Sequence, residues 1–124
     1  MPRRPFSDAL ADASDGIVQA LRTQPNFKIQ IVLGAVAIVA AALLHLRATS
    51  WALIVAMIGL VLGAELFNTC LEHIVDLVQP ENDPLARSAK HAGAAAVLVA
   101  SITALVVGAV VYGQALMRLL RHHG

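Results

Sequence analysis

Apolar residues in this chain gather into three long runs, and the polar residues between them are confined to short breaks. The first run, residues 29–46, reads "IQIVLGAVAIVAAALLHL", and its eighteen residues meet the roughly 17–25 that a helix needs to cross a bilayer. Three aspartates precede it, whereas the leading part of a secretory signal is short and basic, so it is read as a span rather than a signal. The second run opens at Trp51 and is expected to stay helical over 51–78; the third is expected over 88–117, around "GAAAVLVASITALVVGAVVYG". Small residues crowd the first half of the third run, which suits close helix packing in lipid. The breaks are "RATS" at 47–50 and "QPENDPLAR" at 79–87, where Pro80 and Pro84 end one helix and precede the next.

Residues 6–23 carry a different pattern. Phe6, Leu10, Ala13, Ile17 and Leu21 form one narrow stripe at about 100° per residue, with Asp8, Asp12, Asp15, Gln19 and Arg22 opposite. This predicts an amphipathic helix, on the membrane surface or against the bundle, with Pro25 breaking the chain before the first span. The fold class expected is thus all-α integral membrane, one domain over 1–124, with a surface helix and three transmembrane helices. Composition agrees: 58% hydrophobic and 14% charged residues, against roughly a quarter charged in soluble domains. A net charge of +1 gives no reason to expect a nucleic-acid partner. Cys70 is expected to be a small buried residue, not a reactive thiol. Arg3, Arg4, Arg22, Lys28, Arg87 and Lys90 fall on one side of three spans, and Arg47, Arg118 and Arg121 on the other. That excess places the N-terminus and the 79–87 loop in the cytoplasm, in a multi-pass protein of the inner (cytoplasmic) membrane.

Against this apolar background the segment "GAELFNTCLEHIVDL" (63–77) stands out. Glu65, Asn68, Glu72 and Asp76 lie within roughly 60° of one another on a helix. Counted from Trp51 at about 1.5 Å per residue, Glu65 lies ~21 Å and Glu72 ~31 Å along, so the stripe descends from inside the hydrocarbon to its cytoplasmic edge. An acid at membrane depth costs about 2.5–3.5 kcal/mol on insertion scales and usually marks function. Acids stacked four apart repel, and therefore need a metal ion, a basic partner such as Lys90, or protonation. Lys90 is expected level with Glu72 if the loop folds back. No P-loop or other Gly-rich phosphate-binding motif is present in the sequence.

The stretch 65–96 resembles the bacterial diacylglycerol kinase and undecaprenol kinase family, which carries E-x-x-N-[TS]-x-[IL]-E-x-x-V-D followed by a short loop and an Ala-Lys pair. Glu65, Asn68, Thr69, Glu72, Val75 and Asp76 match, as do Ala89 and Lys90. Upstream, Gly16-Ile17, "NFK" at 26–28 and Trp51 also fall where the family has similar residues. The resemblance implies a homotrimer with sites between subunits, and transfer of the γ-phosphate of ATP to a lipid hydroxyl. It implies Glu65 as general base, with Asn68 and Lys90 placing the reacting groups and Glu72 as a Mg²⁺ ligand. Glu81, Asn82, Asp83, Lys90 and His91 would join Glu72 in contacting ATP, while Phe27, Lys28 and Trp51 would lie toward the lipid substrate.

Two positions depart from the family pattern. Gln24 stands where the family has an acid that is implied as a second metal ligand, and glutamine offers a carbonyl oxygen without charge. His91 stands where the family usually has aspartate. Two further readings follow from the residues: a small ion-coupled transporter with Glu65 as proton site, and a weakened family member acting as scaffold.

Overall fold

Proline sets the helix boundaries. The computed structural model describes residues 3–124, and its helices are α1 (Phe6–Thr23), α2 (Pro25–Leu43), α3 (Ala48–Val78) and α4 (Pro84–His122). Pro5 holds the N-cap of α1, while Pro25 and Pro84 occupy the first turns of α2 and α4. A proline there forfeits no hydrogen bond, because the N–H groups of the first turn have no partner within the helix. Pro25 therefore opens α2, where the sequence reading had it break the chain before a helix at 29. For the same reason α4 starts four residues before the expected 88, its first turn capped by Asp83 Oδ2, which accepts from the N–H groups of Leu85 and Ala86 at 3.0 Å each.

Helix α2 stops at Leu43, short of the expected 46, because His45 adopts a left-handed backbone conformation at φ 53°. The N–H of Leu46 then reaches Ala41 O at 3.2 Å and that of His45 reaches Ala42 O at 3.3 Å. These two bonds satisfy carbonyls that the helix end would otherwise leave open, and Leu46 folds back to be buried with Ala41. A side chain at positive φ is strained, so His45→Gly is expected to stabilise the protein by about 1 kcal/mol. Thermal unfolding in detergent checks this; an unchanged or lower midpoint contradicts it.

Helices α3 and α4, at 31 and 39 residues, are about 46 Å and 58 Å long, well beyond a hydrocarbon core of about 30 Å. They pair antiparallel, α2 packs on α3, and α1 meets α2 and touches α3. Three of the four helices, α2, α3 and α4, are long and apolar enough to span a membrane. Most of their large apolar side chains face outward, as lipid-facing side chains do. The buried apolar cluster, Ala41, Leu46, Ile54, Val111 and Ala115, sits at the end of the bundle where α2 turns into α3. Nearby, Tyr112 Oη donates to Ala37 O at 2.6 Å and ties α4 to α2. Bonds of this kind average about 0.6 kcal/mol between membrane helices, so packing carries most of the join.

The stripe on α1 finds little cover within the chain: Phe6, Leu10 and Ile17 are exposed, and only Ala20 is buried. Its apolar face is thus free for the bilayer or another subunit. Cys70 is exposed, contrary to the sequence reading. It follows Asn68 by two residues, about 200° around the helix, and so points away from the face that α3 buries.

Candidate active site

The polar stripe of α3 is turned toward the neighbouring helices. Glu65 is 5% exposed and Asn68 8%, and they are the only buried polar side chains among the described residues. Gln30, the last polar residue of α2, donates from Nε2 to Glu65 Oε2 at 3.4 Å. One turn further along α3, Asn68 Nδ2 donates to Glu72 Oε1 at 3.3 Å. Two buried oxygens beside these bonds, Gln30 Oε1 and Asn68 Oδ1, have no partner among the described residues. An unsatisfied buried acceptor costs about 1–3 kcal/mol, so this polar seam is held at a cost to the packing of the helices.

Gly93 of α4 explains how Asn68 fits. A Cβ at that position would collide with Asn68 Oδ1, so only glycine lets α4 approach the carboxamide without moving it. The 79–83 loop does fold back, but Lys90 pairs with Asp76 rather than meeting Glu72. Register does bring Lys90 level with Glu72: on antiparallel helices Gly93 lies opposite Asn68, so Lys90, three residues earlier on α4, falls about three residues later on α3, and its long side chain then extends a further turn to Asp76. Both partners are substantially exposed, and such a pair contributes about 0–1 kcal/mol. Lys90 is thus placed at the end of the stripe next to the 79–83 loop without being locked there.

The remaining sequence-predicted residues are distributed as follows. Glu81 and Asn82 are exposed in the loop, His91 is exposed on α4, and the Asp83 carboxylate is taken up by capping. Gln24 is half-buried at the extended joint between α1 and α2. Phe27 is buried as a packing residue and Lys28 is exposed. Trp51 packs on the apolar cluster, fourteen residues from Glu65 and about 21 Å away along α3, so the structure does not bring it to the site.

Gln30 and Gly93 were missed from sequence. A lone glutamine within the first apolar run was the available signal for one, and a glycine three residues after Lys90 for the other. Removing the Gln30 donor is expected to loosen Glu65. For Gln30→Leu we expect stability to fall by about 1–3 kcal/mol, as the hydrogen bond to a buried charged group is lost. Thermal unfolding in detergent measures it; an unchanged midpoint contradicts the pairing.

As to metal, no group of three or more His, Cys, Asp or Glu side chains converges among the described residues. Glu72 nevertheless fits a Mg²⁺ ligand: its Oε1 is oriented by Asn68, and its second oxygen has no hydrogen-bond partner among the described residues. Magnesium is commonly held by one or two carboxylates together with substrate phosphates.

A family model described as prokaryotic diacylglycerol kinase matches residues 11–112. An undecaprenol kinase of Bacillus subtilis (strain 168) is 32% identical over 107 residues, which cover 86% of this chain and 87% of that protein. A diacylglycerol kinase of Synechocystis sp. is 44% identical over 94 residues, 75% of this chain but 54% of that protein, so the match spans about half of its length. A diacylglycerol kinase of Pseudomonas aeruginosa is 38% identical over 85 residues, 68% of this chain and 69% of that protein.

Proposed function

The chain belongs to the prokaryotic diacylglycerol kinase family, and we propose that it is a membrane lipid kinase that transfers the γ-phosphate of ATP to the hydroxyl of diacylglycerol or undecaprenol. The observation that carries this reading is Glu65. Its carboxylate is 5% exposed and held by one long hydrogen bond. An acid at membrane depth costs about 2.5–3.5 kcal/mol, and one hydrogen bond to a charged group returns at most about 1.5–3. A glutamine or leucine would serve packing better, so the acid is retained for chemistry.

In the proposed step the lipid hydroxyl gives its proton to Glu65 while its oxygen forms a bond to the γ-phosphorus. The bond from that phosphorus to the bridging oxygen breaks, and ADP leaves. Glu72, oriented by Asn68, would hold Mg²⁺ with Gln24 as a weaker second donor, and the ion when bound neutralises phosphate charge. Lys90 turns from Asp76 to the phosphates, with Glu81, Asn82 and His91 at the cytosolic rim. An apolar cleft of about 570 Å³ leads from Gln30 past Gly34, Leu62 and Gly108 to Tyr112, and would take the hydrocarbon chain. Gln30 both lines this cleft and touches Glu65, which supports a lipid bound there with its hydroxyl end toward Glu65.

The uncovered stripe of α1 supports association with further copies of the chain, as in the homotrimer that the family resemblance implies. The lysine and arginine excess supports an inner-membrane protein with its N-terminus in the cytoplasm. Transport fits less well, because α3 carries no ionisable side chain between its start and Glu65, so the polar path ends within the membrane. The lipid is chosen by offering diacylglycerol and undecaprenol together in one vesicle with ATP and Mg²⁺ and separating the products. Phosphorylation of either supports the kinase reading; ion-gradient-driven flux without ATP would replace it.

A further inference from the structure

At the end of the bundle opposite Glu65, Arg47, Ser50, Gln114, Arg118 and Arg121 line a pocket of about 290 Å³. Arg47 sits at the N-cap of α3 and makes no side-chain cap bond, while Arg118 and Arg121 share one face of the last turns of α4. None of the three arginines forms an ion pair among the described residues. Nor is there an acid near enough to balance them. All eight aspartates and glutamates fall within residues 8–15 and 65–83. Along α3, Glu65 is eighteen residues from Arg47, about 27 Å, whereas charges in physiological salt are screened over about 8 Å.

Arginines that merely mark a membrane boundary extend separately into water; these three, from two helices, converge on one hollow. We propose that this hollow binds the phosphate of an acidic phospholipid headgroup, in the leaflet opposite the one that Glu65 serves. Guanidinium forks match phosphate oxygens in pairs. The open N–H groups at the start of α3 add donors to the same end. Trp51, one turn further along α3, is of the type that marks the headgroup level, so the pocket lies at the depth of lipid phosphates. Val111 and Met117 complete the lining with apolar surface suited to the glycerol and first methylenes. The site is independent of the proposed catalysis and stands whether or not the chain is a kinase.

The test is native mass spectrometry of the full chain titrated with phosphatidylglycerol or phosphatidylcholine, before and after Arg118→Gln/Arg121→Gln. Helix content by circular dichroism accompanies each protein. At about a factor of five per surface arginine, the double variant is expected to hold phosphatidylglycerol about 25-fold more weakly, with phosphatidylcholine retention unchanged. Arg47→Gln, on the other helix, is expected to give the same selective loss at about 5-fold and serves if the double variant does not fold. Equal binding of the two lipids by the parent chain, or undiminished phosphatidylglycerol binding by folded variants, overturns the proposal. Displacement of phosphatidylglycerol by millimolar inorganic phosphate also overturns it, in favour of a free-phosphate site.

Discussion

Glu65→Gln is expected to lower ATP-dependent lipid phosphorylation by about 10²- to 10⁴-fold, the range contributed by a positioned general base. The substitution keeps the shape of the side chain and can still accept the hydrogen bond from Gln30 Nε2. It also removes a charge from a position that is 5% exposed, so the folded protein should be no less stable than the parent. Loss of turnover together with an equal or higher unfolding midpoint is therefore the signature of a residue kept for chemistry. If turnover persists, Glu65 is not the base but a structural acid.

Glu72→Gln is expected to act on a different quantity. The hydrogen bond with Asn68 survives, since the amide oxygen can accept from Nδ2 as Glu72 Oε1 does now. What is lost is the charge that would hold Mg²⁺, and several kcal/mol of charge stabilisation corresponds to about 10²- to 10³-fold in rate. The Mg²⁺ concentration for half-maximal activity should rise in the same variant. Gln24→Glu should move that concentration down, by restoring a charged oxygen at the joint between α1 and α2. A Mg²⁺ titration of both variants is the check. Parallel loss at every Mg²⁺ concentration would mean that Glu72 serves the nucleotide or the fold instead.

Much of this was legible in the sequence, for reasons that differ from element to element. The three long helices were readable because bilayer thickness dictates apolar length. The stripe at 65, 68, 72 and 76 was readable because charges are rare at that depth and helical spacing fixes their common face. Partners across helices were not readable. Gln30 meets Glu65 over thirty-five residues of separation, and nothing local in "KIQIV" reveals that register. Lys90 is level with Glu72, as its depth suggested, but the direction in which its flexible side chain extends, to Asp76, was not readable. The end of α2 was hidden because His45 is an uncommon residue at a left-handed cap, where glycine would have announced the turn. Cys70 was misjudged because hydropathy does not distinguish a side chain facing lipid from one facing protein.

If the buried acid on α3 serves phosphoryl transfer to a lipid, the lipid must take up the terminal phosphate of ATP. The most direct measurement follows γ-labelled ATP with the purified chain in vesicles containing diacylglycerol and undecaprenol. The expected result is Mg²⁺-dependent appearance of label in extractable lipid, at a rate that falls at least about 100-fold for Glu65→Gln. Label that stays in the aqueous phase, with the parent chain folded and both lipids present, would contradict it.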